Sequence, residues 1–319
     1  MILTDYLRYE KDITWDIALS SGVTHGVIRL PEDESFDVCN LSQLQYVVGR
    51  FKSFGITPLV VEPLPNSLHD HIKTCDGKRD EAVEKFIILM KNLAAVGIKT
   101  VCFNFMAHYG WTRTASSLPE RGGSLVTGFN LADFHGDGFA IDSDTLWKNY
   151  FRFADDVLPY AERYGVKLAL HPDDPPLGEL SGVSRIFTSL ENIVRAVDYA
   201  HSPYLGVTFC QACYHLMGEN LEEAIRTLAD KIFFIHFRNV RGTKENFSET
   251  FHDNGDIDMP NAVRLYKKYC PNGASDIPIR VDHVPTLPFE NGNCDGYDSL
   301  GRLFAIGYLK GILDAEGML

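Results

Sequence analysis

SDTLWKNYFRFADDVLPYAERYGVKLALHPDDPP, residues 143–176, contains one complete unit of the pattern that organises this chain. Residues 143–165 read as a long helix, with Ser143 as its cap and Gly165 as its stop. VKLAL, residues 166–170, then reads as a buried strand. The apolar pattern ends abruptly at His171, Asp173 and Asp174, and Pro172, Pro175 and Pro176 restrict the backbone around them. A polar cluster at the mouth of a buried strand, held in a rigid exit, marks a place where chemistry could be positioned.

The same unit recurs along the chain. Strands are expected at 2–9, 25–30, 56–64, 98–106, 166–170, 204–210, 232–240 and 277–283. Helical segments lie between them, among them 41–55, 80–97 with Asp80 as a cap, 189–200 and a closing helix at 298–316. Strand–helix alternation implies parallel pairing with right-handed crossovers. Eight such units predict an α/β fold of the (β/α)8 TIM-barrel type, a single domain over residues 1–319. An open doubly wound sheet would want a phosphate fingerprint after an early strand, and neither GxGxxG nor a P-loop occurs. Residues 107–143 read as a long irregular loop, and 241–258 as a second irregular stretch.

Composition narrows the class. The chain is 45% hydrophobic and 23% charged, in the range of soluble globular proteins. Its formal net charge of -13 repels phosphate backbones, so nucleic acid is not expected as a partner. No apolar run is long enough for a membrane span, and the N-terminus lacks the charged and apolar regions of a secretory signal. Seven scattered cysteines point to reduced thiols. A cytoplasmic protein is expected.

In a barrel of this kind the active site lies at the C-terminal ends of the strands. The third expected strand ends at Glu62 and the fourth at Asn104. The next four end at His171, at Cys210, at His236 with Arg238, and at Asp282 with His283. Four consecutive strands thus deliver His, Cys, His and Asp. That donor set suits Zn, Mn, Fe or Co rather than Mg or Ca. Each residue also has an ordinary reading: a lone histidine is usually hydrogen-bonded structure, and a lone cysteine a small core hydrophobe. Spacing leaves both readings open. CQAC, residues 210–213, is a CxxC, but it does not follow the first strand of a thioredoxin-like unit and has no second pair; Cys213 reads as a bystander.

GIKTVCFNFM with WTRT (97–106, 111–114), LALHPDDPP (168–176), GVTFC (206–210), IHFRNV (235–240), TFHDNGDIDM (250–259), RVDH (280–283) and the late GY (296–297) resemble, in that order, the mannonate dehydratase family. The resemblance implies a xylose-isomerase-like TIM barrel and a metal-dependent hydro-lyase of hexuronate degradation. Such an enzyme eliminates water from an aldonate such as D-mannonate to give a 2-keto-3-deoxy acid. It also implies metal ligands at His171, Cys210, His236 and Asp282, an acid/base pair at His283 and Tyr297, and Mn2+ or Fe2+ as the ion, with Zn2+ or Co2+ as further choices. The expected partners are a small sugar acid and further copies of the chain. This would be a divergent, shortened member: RVDHVP stands where the family resembles RPDHGH, and Tyr214 and His215 follow the sixth strand where the family has small residues.

Substrate contacts are expected from Arg238, which two residues after His236 would share its strand face and reach a carboxylate, and from Arg113 and Asn104. His252, Asp256 and Asp258 could hold sugar hydroxyls, although DNGD also makes a good turn. Asp173 and Asp174 could face substrate or support a ligand histidine. The competing functions are a sugar epimerase or isomerase on the same metal-binding barrel, and a ligand-binding relative without turnover.

Overall fold

The computed structural model describes residues 1–290 and 296–319. Eight strands close into one barrel: β1 (Ile2–Leu7), β2 (His25–Ile28), β3 (Thr57–Val61), β4 (Thr100–Phe103), β5 (Lys167–Leu170), β6 (Leu205–Cys210), β7 (Ile232–Phe237) and β8 (Pro278–Val281). All neighbours pair in parallel, and β8 closes on β1 with Ile2 opposite Pro278. Helices fill every crossover and follow β8 as well. None of them is long and apolar enough to cross a membrane.

Local signals set the helix ends. The helix Ser143–Tyr164 begins one residue earlier than the sequence indicated, because Asp142 is its cap. That carboxylate accepts the Thr145 amide at 2.8 Å and the Thr145 hydroxyl at 2.8 Å, a stronger acceptor than a serine hydroxyl. Gly165 ends the helix at φ 64°. Asp80 does not cap its helix, Arg79–Val96; it lies in the first turn and pairs with Arg79 at 2.8 Å.

Strand alternation sorts side chains into two cores. Tyr6, Val27, Val60, Cys102, Ala169 and Phe234 pack together inside the barrel. A larger apolar shell, including Phe86, Phe103, Leu168, Val207 and Ile235, lies between strands and helices. Gly206 has a specific reason: a Cβ there would stand 2.2 Å from the carbonyl oxygen of Lys231.

Two stretches expected to be irregular are partly ordered. Residues 107–143 contain strands Ala115–Pro119 and Leu125–Asn130, and residues 240–249 form a hairpin, Val240–Thr243 with Asn246–Glu249. Together they make a four-stranded antiparallel sheet, with Phe247 opposite Phe129. Leu125 bridges to Thr286, so this sheet is fastened to the chain just beyond β8. The strands escaped sequence reading because the partners are far apart in the chain and Ala115–Pro119 is largely exposed, so its apolar pattern is weak.

Candidate active site

Register converts the strand ends into a cluster. Cys210 on β6 is directly opposite His236 on β7, and His236 is opposite Arg280 on β8. His171, one residue beyond β5, completes a group. Ligating atoms of His171, Cys210 and His236 lie within 4.8 Å of one another, with Cys210 and His236 buried and His171 partly exposed. A second group, Glu62, Cys102 and His236, shares His236 and lies within the same limit.

The His171 ring is oriented by its own exit segment. Its Nδ1 is 2.6 Å from the Pro172 carbonyl. A carbonyl only accepts, so Nδ1 carries the proton and Nε2 keeps its lone pair for a ligand. His236 is buried, and neither ring nitrogen has a hydrogen-bond partner, although Nε2 is 2.8 Å from Glu62 and Nδ1 is 3.3 Å from Asp282. Burial and Arg280 favour its neutral form, yet Glu62 and Asp282 outweigh them and raise its pKa to about 10. That proton must leave before the ring can ligate. Burial alone would raise the Cys210 thiol. Cys213, Arg238, His171 and His236 reverse this and hold it well below the usual thiol range, so it is set up as a thiolate donor.

The His171 Nε2 lone pair, the His236 ring, a stabilised thiolate and surrounding carboxylates form a donor set of the composition that borderline divalent ions take. The residues therefore fit a metal, with His171, Cys210 and His236 as its nearest holders.

Asp282 stands beside this group. Its Oδ1 accepts from Arg280 at 2.8 Å and from the Tyr297 hydroxyl at 2.9 Å. Burial opposes its ionisation, but Arg280, His283 and His236 hold it well below the ordinary carboxylate range. Glu62 is likewise resisted by burial and held down to about 2 by Arg280 and His236. His283 follows Asp282 with φ 47°, a left-handed conformation unusual for a non-glycine residue. Its ring stacks on Trp111, centroids 5.0 Å apart, and lies 5.0 Å from the Tyr297 ring. Gly296 is needed here, since a Cβ would meet His283 Nδ1 at 3.0 Å. Burial keeps the His283 pKa below normal and that of Tyr297 well above normal, so both are uncharged near neutral pH.

The expected substrate-binding arginines are otherwise engaged. β7 ends at Phe237, so the strand alternation that would align Arg238 with His236 stops one residue short of it. Arg238 is fully buried, donates to both oxygens of Glu249 at 2.9 and 2.6 Å, and contacts Asp174 at 2.7 Å. Arg113 grips Asp174 with two hydrogen bonds, 2.9 and 3.0 Å, and Glu249 at 2.7 Å. The four residues form a closed cluster joining the antiparallel sheet to the barrel. Arg238 Nη1 also lies 3.5 Å from Cys210 Sγ.

The other expected contacts fall mostly into structural roles. Asp173 is buried and accepts the Phe187 amide at 2.9 Å. His252 is buried, bonds the Phe237 carbonyl at 2.8 Å and stacks on the Phe237 ring. Asp256 accepts the Gly242 amide, and Asp258 caps the helix Met259–Tyr269. Asn104 accepts the Met106 amide at 3.1 Å and is partly exposed at a strand mouth. Arg280 was missed by the sequence reading. An arginine at an inward position of a barrel strand is its only sequence signal, and it organises both Glu62 and Asp282.

Fold and site together define a parallel (β/α)8 barrel with a metal-fitting donor set beside an uncharged His–Tyr pair. The profile of the D-mannonate dehydratase family matches residues 12–138 and 137–318. The mannonate dehydratase of Streptococcus agalactiae serotype III is 31% identical over 94% of this chain and 92% of its own length. The crystal structure of mannonate dehydratase from Streptococcus suis serotype 2 superposes with a TM-score of 0.87 at 27% identity, covering 99% of this chain and 95% of that one. A xylose isomerase domain protein from Planctomyces limnophilus shares the fold, with a TM-score of 0.64 at 13% identity over 100% of this chain and 99% of the other. The chain belongs to the D-mannonate dehydratase family. It is a sugar-acid dehydratase, a carbon–oxygen lyase.

Proposed function

We propose that this dehydratase acts on D-mannonate or a close aldonate and holds Mn2+ or Fe2+ through His171, Cys210 and His236, with Asp282 as the fourth donor. The observation that carries the reading is the adjacency of the His171–Cys210–His236 donor set to the His283–Tyr297 pair through Asp282. A bound divalent cation supplies electrostatic stabilisation of the negative charge that builds on the substrate carboxylate as the C2 proton departs.

The chain's own residues handle the protons. Elimination breaks the C2–H and C3–O bonds, and the enol product ketonises to a 2-keto-3-deoxy acid with release of one water. His283 and Tyr297 divide the two transfers, one taking the C2 proton and the other protonating the departing C3 hydroxyl. Trp111 holds the His283 ring by stacking, and Arg280 fixes Asp282, to which the Tyr297 hydroxyl is bonded. The Arg113–Asp174–Arg238–Glu249 cluster carries no substrate contact in this reading; it holds the sheet over the barrel.

The test is to assay Mn2+- or Fe2+-loaded protein against a panel of aldonates for 2-keto-3-deoxy acids. Product from D-mannonate is expected. No product from any aldonate, with bound metal verified by elemental analysis, sinks the reading. Exchange of the C2 hydrogen with deuterated solvent then assigns the pair: the base variant, His283→Ala or Tyr297→Phe, loses exchange. Removing either group should cost about 10^2-fold or more in kcat.

A further inference from the structure

One sequence motif is left unused by the dehydration chemistry: CQAC, residues 210–213. Cys210 precedes the short helix Gln211–Leu216, and Cys213 lies in that helix's first turn. Cys210 itself is extended, with φ -89° and ψ 102°, so the pair spans the junction between strand and helix. A disulfide needs Cβ atoms about 3.5–4.5 Å apart. Both sulfurs already turn to the same side: Arg238 Nη1 is 3.5 Å from Cys210 Sγ and 3.8 Å from Cys213 Sγ. Cys102, inside the barrel, is engaged elsewhere, with Glu62 at 3.4 Å and Thr208 at 3.2 Å. Cys210 and Cys213 are both fully buried, and Cys210 shares its cluster with the partly exposed His171.

We propose that Cys210 and Cys213 are a reversible oxidation site: hydrogen peroxide converts them to an intrachain disulfide, which withdraws Cys210 from the metal-holding set. The second half of this statement rests on the reading of Cys210 as a ligand. In the first step the Cys210 sulfur attacks one peroxide oxygen. An S–O bond forms, the O–O bond breaks, and one water leaves, so sulfur is oxidised and peroxide reduced. In the second step the Cys213 sulfur attacks the Cys210 sulfenic sulfur. The S–S bond forms, the S–O bond breaks, and the hydroxyl leaves as water with the Cys213 proton. The sum is two thiols and one hydrogen peroxide giving one disulfide and two waters. Cys213 thereby protects Cys210 from further, irreversible oxidation. A dithiol reductant regenerates both thiols.

The experiment treats metal-loaded protein with hydrogen peroxide, then maps peptides by mass spectrometry and titrates released metal with a chromogenic chelator. The expected result is a peptide spanning 210–213 lighter by two hydrogens, loss of the bound metal, and recovery of metal binding and activity after dithiothreitol and fresh metal. Cys213→Ser, which keeps a hydroxyl to donate to Cys210, should still hold metal before oxidation. After it, the variant should carry Cys210 heavier by two or three oxygens and should not recover. Absence of the 210–213 linkage in the oxidised wild type overturns the proposal. A linked peptide with metal fully retained overturns the coupling and, separately, the assignment of Cys210 as a ligand. Equal recovery of wild type and Cys213→Ser overturns the protective role.

Discussion

Two clusters of charged and ligating side chains sit at the same end of the barrel, and they are built on opposite rules. In the Arg113–Asp174–Arg238–Glu249 cluster two cations meet two carboxylates, and all four side chains are nearly inaccessible. Burial resists ionisation of Asp174 and Glu249, yet the arginines hold both below the ordinary carboxylate range. The His171–Cys210–His236 group is not built in this way: His171 is partly open, and His236 faces the carboxylates of Glu62 and Asp282. One cluster balances cations against carboxylates; the other gathers ligating atoms that a cation can use. Polar residues at strand ends thus divide into those that hold the fold and those available for chemistry, and only mutual contact sorts them.

The sharpest way to break this contrast is Arg238→Met. It leaves one cation, Arg113, facing two buried carboxylates and should destabilise the protein by about 3–5 kcal/mol in chemical denaturation. A loss below about 1 kcal/mol would show that the cluster is not closed.

A second effect probes the neighbouring His252. Burial depresses its folded pKa to about 4, whereas an unfolded histidine titrates near 6.5. Between those values the unfolded chain binds more protons, so stability falls as pH drops through that window and levels off below it. His252→Gln keeps an N–H for the Phe237 carbonyl and removes the titration. The stability difference between wild type and variant should therefore shift by up to about 3 kcal/mol between pH 7 and pH 4. A difference independent of pH would contradict a neutral buried His252.

His171→Ala tests the open cluster. Metal affinity should fall at least about 100-fold, while the metal-free protein loses no more than about 1 kcal/mol with the Pro172 hydrogen bond. Unchanged metal content after dialysis would remove His171 from the ligand set. The smallest expected effect is that of Trp111→Ala. Loss of the stack on His283 should cost about 0.5–1.5 kcal/mol, at most roughly tenfold in kcat, with metal content unchanged.

Much of this was legible in the chain. Strand–helix alternation needs only local patterns, so the eight barrel strands could be read directly. His171, Cys210 and His236 were legible as well, because a residue at or next to the end of a parallel strand inherits its position from the barrel. Arg238 was not. It stands one residue past the end of β7, where strand alternation no longer governs direction, and two distant carboxylates capture it. Asp173 and His252 look equally reactive in sequence, and in the fold a backbone group engages one polar atom of each.

The sequence alone therefore determined the barrel, its family and which polar residues end its strands, since periodicity and strand order are encoded in neighbouring residues. Tertiary structure alone decided three things: which arginines are consumed in ion pairs, the left-handed backbone that presents His283, and the four-stranded sheet from segments more than a hundred residues apart. These depend on contacts between remote segments, and the free energy of a buried charge is set by whichever partner the fold brings to it.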